Sequence, residues 1–243
     1  MKKLIAGNWK MNTTRAEAKE LASSLAHRHM VPSEAFEVIL CPPSIWLGDV
    51  VKACQGSAVK VGGQDCHTEQ KGAYTGNISA SMLKEMGCSH VIVGHSERRH
   101  YHAETNAMVK VKAETAIAQG LIPIICVGES ESERSAMQQE SVVGQQLAES
   151  LPDAGAYVVA YEPVWAIGTG KTATVEDVKA MHGFIRAALA KKLDQAANVA
   201  ILYGGSVKSS NAAEILSTEN VDGVLVGGAS LQAGEFWAIA LGS

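Results

Sequence analysis

Eight short runs rich in Val, Ile and Leu punctuate the chain, near residues 4–9, 36–41, 58–63, 90–94, 121–127, 157–161, 199–203 and 221–226. Several are almost continuously apolar and lack alternation, as strands covered on both faces of a parallel sheet must be. Between them lie segments of helical period. Ala18, Leu21, Ala22 and Leu25 share one face, as do Val109, Ala113, Ala116 and Ile117, and Val178, Met181, Ile185 and Ala188. Thr174–Asp177 and Ser130–Glu133 have the spacing of helix-opening capping boxes, and Gly120 stands where a helix stop is expected. Strands alternating with helices leave two α/β architectures, a doubly wound open sheet and a closed (β/α)8 barrel. Eight units in 243 residues fit the barrel better. No linker rich in Pro, Gly or Ser and no low-complexity run interrupts them, so residues 1–243 are read as a single barrel domain.

Composition narrows the function classes. Aromatic residues, at 5%, offer little surface for stacking single-stranded nucleic acid, and a net charge of -4 argues against a basic footprint for nucleic acid or membrane. The five cysteines are odd in number and contain no CxxC, a poor framework for disulfides or zinc. Met1-Lys2-Lys3 begins like a signal peptide, but the apolar run that follows stops at Asn8 and Lys10. A soluble cytoplasmic protein is expected. His90, His95, His100 and His102 lie close in sequence without the HExxH spacing of a helical metal site, so no metal is expected.

In parallel α/β folds, function gathers at the carboxyl ends of the strands. Here those ends read Asn8-Trp9-Lys10, Gly94-His95-Ser96-Glu97, Gly128-Glu129, Glu162-Pro163, Gly204-Gly205-Ser206 and Gly227-Gly228. A closed barrel would bring them to one mouth. Any one of them has an ordinary reading as a turn, a cap or a solvated side chain; their joint occurrence does not. Gly170-Lys171-Thr172 imitates the end of a P-loop, but that pattern requires glycine where Trp165 stands.

The stretches Ala6–Asn12, Gly94–Arg99, Cys126–Glu129, Ala160–Lys171, Tyr203–Val207 and Val226–Leu231 carry a resemblance that covers the whole chain. It resembles the triosephosphate isomerases. The resemblance implies a TIM barrel that interconverts dihydroxyacetone phosphate and glyceraldehyde 3-phosphate through an enediolate, without a cofactor. Glu162 is then the general base, with burial expected to raise its pKa toward working pH. His95 is a neutral imidazole acting as electrophile, its pKa expected to be lowered by a helix opening at Ser96. Lys10 supplies positive charge, Asn8 holds a substrate oxygen, and Glu97 supports Lys10 and His95. Asn8, Lys10, Gly168, Ser206, Gly227 and Gly228 bind the phosphorylated substrate, glycine allowing backbone N–H groups to approach a dianion. The alternative is another phosphosugar barrel enzyme, such as an aldolase forming a Schiff base on Lys10.

Further expectations follow from the resemblance. Residues 163–171 form a lid over the site. Residues 64–78, long for a connection of this kind, insert into a second subunit with Thr75 at the tip, making a homodimer. The chain departs from the family pattern twice. Asp65 replaces a usual asparagine, and Asn77 replaces a usual glutamate that pairs with the arginine matching Arg98. Loss of that ion pair is expected to weaken the loop or the interface.

Overall fold

The computed structural model describes residues 2–167, 171–192 and 196–242. Eight parallel strands close into a barrel in chain order: β1 (Lys3–Asn8), β2 (Phe36–Cys41), β3 (Lys60–Gly63), β4 (His90–Val93), β5 (Ile122–Val127), β6 (Val158–Tyr161), β7 (Ile201–Tyr203) and β8 (Gly223–Val226). Closure is explicit at Gly7, which is in register with Leu40 on one side and Val226 on the other. The open-sheet alternative is thereby excluded. Between and after the strands run α1 (Arg15–Arg28), α2 (Leu47–Cys54), α3 (Ala80–Glu85), α4 (Ser96–Tyr101), α5 (Asn106–Ala118), α6 (Glu131–Ser135), α7 (Gln139–Ser150), α8 (Val175–Lys192), α9 (Ser209–Ser217) and α10 (Ala233–Leu241).

The strands lack alternation because both of their faces are buried. Leu4, Ala6, Ile39, Ile92, Ile124 and Leu202 belong to the cluster that fills the barrel lumen. Their chain neighbours Ile5, Val38, Val91, Val93, Ile125 and Ile201 belong to a second cluster shared with the helices. Helices dock by the faces their period indicates: Ala18, Leu21, Ala22 and Leu25 are buried on α1, and Val178, Met181 and Ile185 on α8. Ile117 and Ala188 are only half-buried.

Local signals set the helix ends. Thr14 and Glu17 form a reciprocal capping box at α1, and Ser130 and Glu133 form one at α6. At α8 the Asp177 N–H donates to Thr174 Oγ1 (3.1 Å) while the Thr174 N–H donates to Asp177 Oδ2 (3.1 Å). Such caps satisfy backbone donors that the first turn leaves free, each worth about 1 kcal/mol. Gly120 adopts φ 71° just past α5, the left-handed stop that glycine permits.

Strand parity then decides what reaches the mouth. Leu4 and Ala6 face the lumen, so Asn8, the last residue of β1, continues the same column, and Lys10 follows just beyond the sheet. By the same count Val158 and Ala160 lead to Glu162, and Leu225 leads to Gly227.

Candidate active site

One cavity of about 400 Å³ opens where these columns end. It is lined by Asn8, Lys10, His95, Glu162, Ser206, Gly227 and Gly228. Of the expected site residues, Gly168 lies outside the described residues, as do its neighbours to 170. Asn12 and Lys208 also line the cavity and were not anticipated.

Glu162 is buried and is placed by close backbone packing. Its N–H donates to Val127 O (2.7 Å), and Gly204 N donates to Tyr161 O (2.7 Å). A Cβ at Gly128 would lie 1.8 Å from Glu162 O, and one at Gly204 would lie 3.0 Å from Glu162 Cγ. These two glycines are therefore required by the approach of the carboxylate-bearing segment.

The left-handed turn at Gly94 (φ 66°) ends the β4 pleat and brings His95 to the N-cap of α4. There the Glu97 N–H donates to His95 Nδ1 (3.2 Å), while Nε2 lies 2.8 Å from Glu162 Oε1. A backbone N–H can only donate, so Nδ1 is the acceptor and the ring proton sits on Nε2. The second Glu162 oxygen accepts from Ser96 N (2.9 Å).

These contacts reverse both of the anticipated pKa directions. Burial alone would raise Glu162, but His95, Ser96 N–H and Lys10 together outweigh it and hold the carboxyl below its ordinary value. Burial alone would lower His95, but Glu162, with help from Glu97, raises it. The shift on His95 comes from its contact with Glu162. Once the carboxylate leaves, burial and Lys10 favour the neutral ring against Glu97 alone.

Lys10 adopts φ 52°, a left-handed conformation that costs a non-glycine residue about 1–2 kcal/mol. Hydrogen bonds hold it there. Its N–H donates to Asn8 Oδ1 (3.0 Å), and Gln64 Nε2 donates to its carbonyl (2.9 Å) and to that of Cys41 (2.8 Å). The ammonium pairs with Glu97 Oε1 at 2.6 Å.

Behind this pair lies a partly buried group of four charges. Asp65 Oδ2 meets Arg98 Nη2 at 3.0 Å and Asp65 Oδ1 meets Lys112 Nζ at 2.7 Å. Glu104 Oε1 accepts from both Arg98 Nε and Lys112 Nζ. Burial raises the Asp65 carboxyl in spite of its cations. Burial would also raise Glu104, yet its bonds to Lys112 and Arg98 leave it below the ordinary carboxylate value. Arg99 is threaded behind the site as well, donating to Gly94 O (2.8 Å) and Cys126 O (3.1 Å) and so tying the ends of β4 and β5.

The ends of segment 163–171 that are described are both tied to the stretch after β5. Trp165 Nε1 donates to Glu129 Oε1 (2.8 Å), and Lys171 pairs with Glu131. Among the described residues no three His, Cys, Asp or Glu side chains converge as a metal site requires.

A family model described as triosephosphate isomerase matches residues 3–242. The chain belongs to the triosephosphate isomerase family. It is 53% identical to the triosephosphate isomerase of Acidiphilium cryptum, over 99% of this chain and 98% of that one. It is 49% identical to the triosephosphate isomerase of Xanthobacter flavus, over 98% and 96% of the two chains. The crystal structure of triosephosphate isomerase from Bartonella henselae superposes with a TM-score of 0.91 at 43% identity, covering 100% of this chain and 99% of that one.

Within this triosephosphate isomerase barrel, the partners of Gln64, Ser96, Arg99, Lys112 and Glu104 are not legible in the sequence. Each acts through a partner brought near only by folding: Lys112 reaches Asp65 across 47 residues and Gln64 reaches Lys10 across 54. A charged residue on an otherwise apolar helix face, as at Lys112 on α5, is the one local sign that was available.

Proposed function

We propose that the chain interconverts dihydroxyacetone phosphate and glyceraldehyde 3-phosphate, and that Glu162 moves the proton. The observation that carries this reading is the convergence of Glu162, His95, Lys10 and Asn8 in one cavity with Ser206, Gly227 and Gly228. Glu162 removes a proton from the carbon that bears the hydroxyl. The electron pair forms the enediolate, the proton returns to the adjacent carbon, and the hydroxyl proton passes to the former carbonyl oxygen, so that carbonyl and hydroxyl exchange places. In the resting structure both oxygens of Glu162 are engaged, so the carboxylate leaves His95 and Ser96 before it acts. The Nε2–H of His95 then donates to the enediolate oxygens, and Lys10 stabilises their negative charge. Asn8 orients the substrate oxygen. Glu97 holds the Lys10 ammonium.

Ser206, Gly227, Gly228 and Gly168 receive the phosphate. A 3-10 turn spans Gly228–Leu231, and a Cβ on Gly228 would meet no atom within 4 Å among the described residues. None of those residues requires glycine there, whereas a dianion approaching the backbone does. Segment 163–171 serves as a lid that excludes water from the enediolate.

The dimer is part of the same reading. Residues 71–77 are exposed, with Thr75 at the tip of the projecting loop. Met11 is 96% exposed and Ile45 74%, and Tyr101 and Met82 are also open. These apolar groups follow β1 to β4 in turn and form a surface suited to a second copy. One domain over residues 1–243 is supported by strand pairing that runs from β1 round to β8. Five free, buried cysteines suit a reducing cytoplasmic compartment. Among the described residues no helix is long and apolar enough to cross a membrane.

The aldolase alternative is not favoured, because it needs a free amine at Lys10 and that side chain is in an ion pair with Glu97. A coupled isomerase assay in deuterated water tests the reading. Turnover with deuterium entering the substrate carbon, unchanged by exhaustive chelation, is expected. Borohydride trapping of a substrate adduct on Lys10 would overturn it.

A further inference from the structure

The two departures from the family pattern sit at opposite ends of one loop, and Arg98 lies between them. Asp65 leads out of β3, and its carboxylate bridges Arg98 (3.0 Å) and Lys112 (2.7 Å). Asn77 lies at the far end. Asp65, Asn77, Gly76 and Arg98 line one cavity of about 220 Å³, so a longer acidic side chain at position 77 has room to face the guanidinium. Arg98 is thus not left unpaired by Asn77: Asp65, at the root of the loop, and Glu104 supply its carboxylates. The charge balance of the group stays even, with Asp65 and Glu104 against Arg98 and Lys112.

The root position differs from the tip in what it adjoins. Gln64, the preceding residue, donates to the carbonyls of Lys10 and Cys41. Arg98 follows Glu97, which pairs with the Lys10 ammonium. Residue 64 therefore holds the Lys10 backbone, while residue 65 pairs with the guanidinium next in sequence to the carboxylate that pairs with the Lys10 ammonium.

We infer that Asp65 is a positioning residue of this chain: it supplies from the root of the 64–78 loop the carboxylate that Asn77 lacks, and so couples that loop to the Lys10–Glu97 pair. Its kinetic arm rests on the function proposed above, while its stability arm does not. Asp65 touches no reacting atom, and its effect passes through Arg98.

A double-substitution cycle tests this. Asp65→Asn is expected to lower the thermal midpoint by roughly 4–8 °C, because it strips one partner from a partly buried charge group. It is also expected to lower kcat about fivefold or more with KM changed less than twofold. Asn77→Glu alone places a second carboxylate beside Asp65 and is expected to leave both quantities unchanged or lower. Combined, Asp65→Asn and Asn77→Glu return the charge to the loop tip and are expected to recover at least half of each loss. Should Asp65→Asn fail to accumulate as folded protein, recovery of folded protein in the combined variant gives the same support. Additive effects in the cycle, an unchanged midpoint and kcat in Asp65→Asn, or no recovery in the combined variant overturns the inference. Inactivity of the parent enzyme on triose phosphates would instead overturn the functional reading and leave the thermal cycle standing.

Discussion

Glu162 Oε1 rests 2.8 Å from Nε2 of His95, so the two groups assigned to proton transfer are bound to each other in the resting site. Removing the carboxylate separates their roles. Glu162→Ala is expected to lower kcat by roughly 10²–10⁴-fold while a phosphate-bearing analogue still binds within a few fold. Isothermal titration beside steady-state kinetics makes the comparison, and equal loss of both would mean that base and anion site are misassigned. Glu162→Gln removes the charge that raises His95. Its imidazole is then expected to titrate at lower pH than in the parent, which histidine NMR reads directly.

Acid stability tests a second buried imidazole. His182 on α8 is buried, with Nδ1 3.0 Å from Asn220 O and its ring near those of Tyr161 and Tyr203. Burial, the larger influence, pushes its pKa down to about 4 from 6.5. Between those values the unfolded chain binds the proton that the folded one refuses. Stability is therefore intact above about pH 6.5 and is lost as pH falls toward 4, by up to roughly 3 kcal/mol. His182→Phe is expected to flatten this part of the acid limb in urea melts taken across the range. A slope equal to the parent's would show that the group does not titrate as described.

Two glycines should behave oppositely when replaced by alanine. At Gly128 the new Cβ would lie 1.8 Å from Glu162 O, backbone against backbone. Gly128→Ala is expected to cost at least about 3 kcal/mol. At Gly228 the methyl would meet no atom within 4 Å among the described residues. Gly228→Ala is expected to keep the parent's thermal midpoint but to weaken inorganic phosphate binding about tenfold, through one obstructed charge-assisted hydrogen bond. A stable Gly128→Ala, or an unimpaired Gly228→Ala, would contradict the respective account.

The proposed dimer can be weighed in solution. Light scattering is expected to give twice the 25.6 kDa chain mass for the parent. Thr75→Arg, which forces a charged side chain into the opposing subunit, is expected to shift the mass toward one chain and reduce turnover. A parent that scatters as a single chain at micromolar concentration would exclude the dimer.

The barrel was legible because its signals are local. Doubly apolar strands, capping boxes at Ser130 and Thr174 and the Gly120 stop each depend on a handful of neighbouring residues. The residues proposed as catalytic could be picked out because each stands at a strand end inside a distinctive motif, and the structure brings them to one cavity. What escaped was long-range or electrostatic. Asn77 read as a lost ion pair, since nothing in the sequence brings Asp65 to Arg98. His95 and Glu162 were each assigned a pKa from burial or a helix terminus alone, because their mutual contact spans β4 and β6. Thr14 and Glu17 carry the same local capping signal as the other two.

Because Glu162 completes the inward column begun by Val158 and Ala160, the proposed general base and the plug of the barrel share one alternation. Inserting or deleting a single residue in β6 would invert that column, delivering the carboxylate to the helical shell and the outward-facing Val159 to the lumen. Lengthening or shortening by two would preserve the facing and merely raise or sink the base along the axis. Grafts and strand transplants into this scaffold therefore have to proceed in steps of a dipeptide.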